Sequence, residues 1–195
     1  MIVILAVALL LLMTPIWTHF ALGASGATNS FASPEAAYQL SDKTVSEIFV
    51  GPGTFSAFAA DEAAHMRDVR VVFYGFMVRA TASAGLLAGQ VARHPRDPQV
   101  WRSVSRGGIW VVVALIVLGI FAAFAFETAF ELFHRIFFPG GNWAFPADSL
   151  LITLYPYAFW ELSAAAMGVL GIGAGLIVWI FARKAAESLE GSTQQ

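Results

Sequence analysis

The sequence predicts an all-α membrane protein: a bundle of four transmembrane helices with a small extracytoplasmic cap formed by its two outer loops. Three observations point there. The chain is 58% hydrophobic and only 12% charged, far too apolar for an ordinary soluble domain. Two stretches, 107–126 and 162–181, hold no ionisable residue and are each 20 residues long, enough to cross a hydrocarbon core. The basic residues, finally, gather at one end of the expected spans.

The elements follow in order as one integral membrane domain over 1–195. The N-terminal run is uncharged and dominated by Leu, Val and Ile. A cleaved signal peptide ending near Ala21-Leu22-Gly23-Ala24 would need a basic leading segment, which is missing, so a retained first span over 2–18 is expected. The outer loop 19–68 is rich in Ser, Thr and Ala and broken by Gly51-Pro52-Gly53; short capping helices are expected there. The second span, 69–91, is interrupted by Arg79, and the small residues from Ala80 to Gly89 suit close helix packing. A cytoplasmic loop over 92–106 leads to the third span, 107–127. That helix should run on past the lipid, because Glu127, Phe130, Glu131 and His134 recur at helical spacing. It should stop at Pro139-Gly140-Gly141, opening the outer loop 128–159, whose Trp143, Phe145, Tyr155 and Tyr157 suit a membrane interface. The fourth span, 160–182, carries a Gly171-x-x-x-Gly175 packing face before a cytoplasmic tail, 183–195.

Orientation comes from charge. The middle loop holds Arg93, Arg96, Arg102 and Arg106 against Asp97, and the tail opens with Arg183-Lys184. The first outer loop instead carries Glu35, Asp42, Glu47, Asp61 and Glu62 against Lys43 in its body, ahead of the Arg67-Asp68 pair at its end. The positive-inside rule therefore expects a multi-pass cell-membrane protein with both termini cytoplasmic and the two long loops outside.

Composition also excludes several chemistries. With no cysteine there is no disulfide, thiolate metal site, thiol nucleophile or lipidated cysteine. A net charge of -2 gives no reason to expect a nucleic-acid partner. No Gly-x-Ser-x-Gly elbow is present, so a serine acyl-enzyme has no nucleophile. What remains is His65 and His134, both expected at the outer ends of membrane helices. Each has a carboxylate three residues earlier, Glu62 and Glu131, expected on the same helical face. A carboxylate beside an imidazole orients the ring and raises its basicity, which suits a general base. His19 and His94 read as solvated loop residues, and Arg79 as structural.

Two Glu-x-x-His units, with Glu127 and Glu161 nearby in sequence, also evoke a di-iron ligand set. Glu127 shares a helix with Glu131, however, where that pattern draws on separate helices, so no metal and no cofactor is expected. A metal-dependent membrane oxidoreductase or hydrolase, and a non-enzymatic assembly factor, stand as the alternatives.

The motifs themselves resemble those of a known family. His65-Met66-Arg67-Asp68-Val69 matches a His-Met-x-Asp-Val motif of small four-span bacterial membrane proteins. Phe133-His134-Arg135-Ile136-Phe137-Phe138, Asn142-Trp143, Asp148 to Ile152 and Tyr155-Pro156 match the second motif of that family. The family is similar to, and includes, the lipoprotein intramolecular transacylases. The resemblance implies acyl transfer on a diacylglyceryl-cysteine: the sn-2 chain moves from glycerol to the cysteine α-amine, giving a lyso-form lipoprotein. It implies His65 and His134 as the catalytic pair, and a diacylated lipoprotein and membrane lipid as partners. Asp68, Trp143 and Asp148 stand in the matched motifs and are expected to support the pair. Arg135, Asn142 or an amide near Gly140-Gly141 is expected to stabilise the oxyanion.

Overall fold

The structure is a computed structural model that describes residues 1–192; the end of the expected tail, 193–195, lies outside the described residues. Seven α-helices follow one another: α1 (Ile2–Leu12), α2 (Pro15–Ala24), α3 (Pro34–Phe49), α4 (Ala60–Arg93), α5 (Pro98–Phe137), α6 (Leu150–Leu154) and α7 (Tyr157–Ser192). No strand occurs among the described residues. Three helices, α4, α5 and α7, are long and apolar enough to cross a membrane, and α1 with α2 makes a fourth if that bent pair is one broken span.

Two departures from the expected element boundaries have local causes. The stretch 2–18 is not one helix: α1 stops at Leu12 and a new helix starts at Pro15. Proline lacks an N–H and its ring displaces the carbonyl four residues back, so it opens a helix but does not continue one. The Thr14 hydroxyl bonds back to the Leu11 carbonyl at 2.7 Å, satisfying an acceptor at the break. The expected loop 92–106 shrinks to 94–97, because α5 already begins at Pro98. Asp97 accepts a hydrogen bond from the Gln99 amide at 2.8 Å, and Pro98 supplies the first helical residue.

The chain forms two compact units, and α4, α5 and α7 each contribute residues to both. One unit comprises Met1–Leu9, Met77–Ile120 and the chain from Met167. Its organising contact is glycine on glycine. A Cβ on Gly108 would lie 2.7 Å from the Gly175 carbonyl oxygen and 2.8 Å from the Trp179 nitrogen, so α5 and α7 touch backbone to backbone. Gly171 and Gly175 face α5 while Gly173 meets nothing, which is how a Gly-x-x-x-Gly face works. Ser105 donates across the same contact to the Trp179 carbonyl at 3.2 Å.

The other unit comprises Leu10–Phe76 and Phe121–Ala166. Here α2 packs on α3, burying Ala21, Leu22, Ala37 and Ser41. His19 is tied in as well: its Nε2 lies 2.9 Å from Asp42 and its ring stacks on Tyr38, so it is not the loose loop residue expected. The segment after α3 turns at Gly53, whose φ of 70° suits glycine, and a side chain there would collide with the Arg70 guanidinium. Glu47 holds that turn from beneath, accepting hydrogen bonds from the Phe55 amide at 2.6 Å and the Thr54 hydroxyl at 3.3 Å. Within α5, Ala125 leaves helical geometry (φ −148°, ψ 53°), so the part carrying His134 is a helical arm beyond the uncharged run.

Candidate active site

The site is built in the second unit from the N-terminal turns of α4 and the C-terminal turn of α5. His65 sits on the second turn of α4 and His134 near the end of α5. Both lie outside the uncharged spans, among charged neighbours in sequence. They nevertheless are buried, 5% and 9% exposed. Their ring centroids stand 6.0 Å apart at an interplanar angle of 31°. Aromatic rings make the walls: Phe138 lies 4.8 Å from His65 and 5.6 Å from His134, Phe145 lies 5.6 Å from His65, and Trp143 lies 5.0 Å from His134.

Hydrogen bonding distinguishes the two rings. His134 Nδ1 is 2.8 Å from the Phe130 carbonyl oxygen, which can only accept, so Nδ1 carries the proton and Nε2 the lone pair. His65 Nδ1 is buried with no hydrogen-bond partner among the described residues. Such an atom costs about 1–3 kcal/mol when it stays unsatisfied, and it is the group a substrate would satisfy. Burial pushes the His65 pKa down to about 4; the neighbouring His134 adds to that and the Asp68 carboxylate opposes it. Burial also lowers His134, against the Phe130 carbonyl, which raises it. Both rings are therefore neutral at pH 7.

The carboxylates are not where the Glu-x-x-His spacing put them. Glu62 is fully buried, but its oxygens accept from the Ala59 amide at 2.9 Å and the Leu151 amide at 2.8 Å. Two orphan helix-end amides, one before α4 and one on the first turn of α6, outcompete the imidazole for it. Glu131 lies on the exposed face of α5 and pairs with Arg135 at 2.9 Å, its neighbour one turn on. Neither glutamate orients its histidine. Arg135, an oxyanion donor in the sequence reading, is turned to that pair on an exposed face. Asp68 is the acid coupled to His65, and it accepts from the Asn142 amide nitrogen at 2.6 Å. Asn142 thus braces Asp68, while Trp143 walls His134. Asp148 is exposed, and the neighbouring Ser149 caps α6 instead. Glu127 and Glu161 are exposed too, and among the described residues no three His, Asp or Glu side chains converge as a metal would require.

Several participants escaped the sequence reading. Phe138 had a signal, since it stands in the second motif, four residues after His134 and just past the end of α5. Phe145 had none, because it reaches His65 from irregular chain beyond α5. The buried Tyr155 hydroxyl, 3.1 Å from the Ser41 hydroxyl, joins residues 114 apart in sequence and could not be paired without the fold. Burial pushes its pKa up to about 12, so it is a neutral structural hydroxyl.

Long apolar helices and an aromatic-walled pair of neutral imidazoles define a multi-pass integral membrane protein with a two-histidine site. The family follows from comparison: residues 35–160 match the model of the lipoprotein intramolecular transacylase Lit, and the chain belongs to that family. An uncharacterised protein of Aquifex aeolicus is 32% identical over 123 residues, covering 63% of this chain; the match spans about half, 55%, of that relative's length. The in meso structure of the membrane integral lipoprotein intramolecular transacylase Lit from Bacillus cereus has the same fold. It superposes with a TM-score of 0.84 at 16% identity, over 96% of this chain and 90% of the other.

Proposed function

We propose that this chain is an intramolecular transacylase of bacterial lipoproteins, moving the sn-2 acyl chain of the diacylglyceryl-cysteine to its α-amino group. The observation that carries the reading is the pair of buried, neutral imidazoles 6.0 Å apart, one with an unpartnered Nδ1.

The substrate enters as an α-ammonium of pKa near 8, with two protons to lose before it becomes an amide. The first passes to His65. Against a base of pKa about 4 this transfer costs about 5 kcal/mol, a figure that already contains the stabilisation of the imidazolium by the Asp68 carboxylate. As the N–C bond forms, the second proton passes to the lone pair that Phe130 fixes on His134 Nε2. As the C–O bond to glycerol breaks, His65 returns its proton to the departing oxygen; its depressed pKa makes it a strong acid for that step. His134 then releases its proton to water. Nucleophile and ester belong to one molecule, so proximity replaces an acyl-enzyme.

The single integral domain is oriented with both termini and the arginines around 93–106 in the cytoplasm and the histidines at the outer face. Loops 19–68 and 128–159 form the cap. Supporting this are the arginine cluster and Arg183-Lys184, set against the acidic first loop. The test is expression in a bacterium that makes only diacyl lipoproteins, followed by mass spectrometry of lipoprotein N-termini. N-acylated lyso-form should appear with the wild-type chain and vanish with His134→Ala. Its absence with wild type, or full yield from His134→Ala, rejects the reading.

A further inference from the structure

The first unit holds a cleft of about 490 Å³ that the histidine site does not use, lined by Gln99, Arg102, Ser105, Arg106, Arg183 and Glu187 among others. Three guanidinium groups, those of Arg102, Arg106 and Arg183, stand against two carboxylates there, Glu187 and Glu190. Two are already paired: Arg102 makes a two-pronged contact with Glu190, both bonds 2.7 Å, and Arg183 meets Glu187 at 2.7 Å. Arg106 has only the Ser103 hydroxyl, at 3.2 Å, among the described residues. The cleft therefore carries a surplus of positive charge with a planar donor fork still open, the geometry that suits phosphate oxygens.

Its position says what kind of phosphate. Arg106 stands directly before the uncharged run that starts at Gly107, and Arg183 directly after the one that ends at Ala182. Those are the first positions beyond the hydrocarbon, where lipid phosphates lie. Below Arg106, at successive helical turns of α5, Trp110, Val113 and Val117 are 60%, 42% and 61% exposed. Below Arg183 on α7, Ile180 and Leu176 repeat the pattern. From Arg106 to Val117 the stripe runs roughly 16 Å at 1.5 Å per residue. That is about half of a hydrocarbon core of roughly 30 Å, the reach of one acyl chain. A soluble phosphate would use the fork and leave the stripe idle; a phospholipid uses both.

We propose that this cleft is a binding site for an anionic membrane phospholipid, with Arg106 and Arg183 holding its phosphate and the Trp110–Val113–Val117 stripe its acyl chain. It is independent of the reading of the histidines. The test is native mass spectrometry of the detergent-purified full chain titrated with dioleoyl phosphatidylglycerol, dioleoyl phosphatidylcholine or inorganic phosphate. Wild type should retain phosphatidylglycerol at least about fivefold better than phosphatidylcholine, and the doubly substituted Arg106→Gln, Arg183→Gln chain should lose that preference. Val113→Asn, which keeps both arginines, should lower retention several-fold, and lyso-form yield should be unchanged in all variants. Equal retention of the two lipids, or a preference that survives the double substitution, overturns the site. Binding of inorganic phosphate that blocks the lipid, or full retention in Val113→Asn, overturns the lipid assignment.

Discussion

At the scale of single residues, what distinguishes the site is imidazoles kept neutral by burial in an aromatic box. The pH dependence follows with its sign. A histidine whose folded pKa is depressed accepts protons less readily than in the unfolded chain, whose value is near 6.5. Stability is therefore flat above pH 6.5, falls as pH drops from 6.5 toward 4, and is flat again below the folded His65 value of about 4. The loss should amount to on the order of 3 kcal/mol for His65. Thermal unfolding in detergent between pH 4 and 7.5 checks this: His65→Asn should flatten most of the slope, whereas an unchanged slope would assign it to other groups. The acid limb of the activity profile should be displaced downward from the usual histidine range, because burial lowers both imidazoles. The two glutamates separate cleanly. Glu131→Ala removes an exposed ion pair worth about 0–1 kcal/mol and should leave lyso-form yield within about twofold of wild type. Glu62→Ala strips the acceptor from two amides, one of them buried, and should cost about 2–4 kcal/mol of stability. Measured thermal unfolding of the two variants should rank them in that order; equal effects would mean Glu62 does not hold α6.

At the scale of elements, the structure relies on close backbone contact in one unit and on carboxylate caps in the other. Gly108 and Gly175 meet with no room for a methyl group, so Gly175→Leu forces α5 and α7 apart. Overpacking of this kind costs about 1–3 kcal/mol or more. Gly173→Leu, on the same helix but facing nothing within 4 Å, should be nearly silent. Comparing the temperature at which each variant loses a single size-exclusion peak in detergent tests the contact; matching losses would refute it. The start of α5 at Pro98 differs from the expected loop end at 106, although the Asp97-Pro98 pair that opens the helix stands in the sequence. The break in the expected first span likewise has a local mark in the sequence, Pro15 after a run of apolar residues. The kink at Ala125 was not legible, because no proline or glycine marks it.

At the scale of the whole molecule, orientation decides whether the chemistry has a substrate, since lipoprotein N-termini are presented at the outer face. Cysteines can be introduced singly because the chain has none. Ser46, Ala147 and Ser103 are all exposed, and Ala147 is preferable to Ser149, whose hydroxyl caps α6. Cysteines at Ser46 and Ala147 should react with an impermeant maleimide in intact spheroplasts, and one at Ser103 only after permeabilisation. The opposite pattern would put both histidines in the cytoplasm and remove the substrate.

The sequence by itself determined the fold class, the long apolar helices, the two histidines and the family motifs around them. These are local quantities: hydropathy over 20 residues, charge at span ends, and residue order within a short motif. Only the tertiary structure decided which groups meet. Spacing puts Glu62 and His65 on one helical face, yet Glu62 turns to the Leu151 amide 89 positions away, because a buried backbone donor without an acceptor is costlier than a neutral imidazole without a carboxylate. The same competition gave Asp68 to Asn142, set Phe138 and Phe145 against His65, and left one imidazole nitrogen buried and unpartnered among the described residues. Periodicity ranks the faces of one helix; it carries no information about what another helix brings to them.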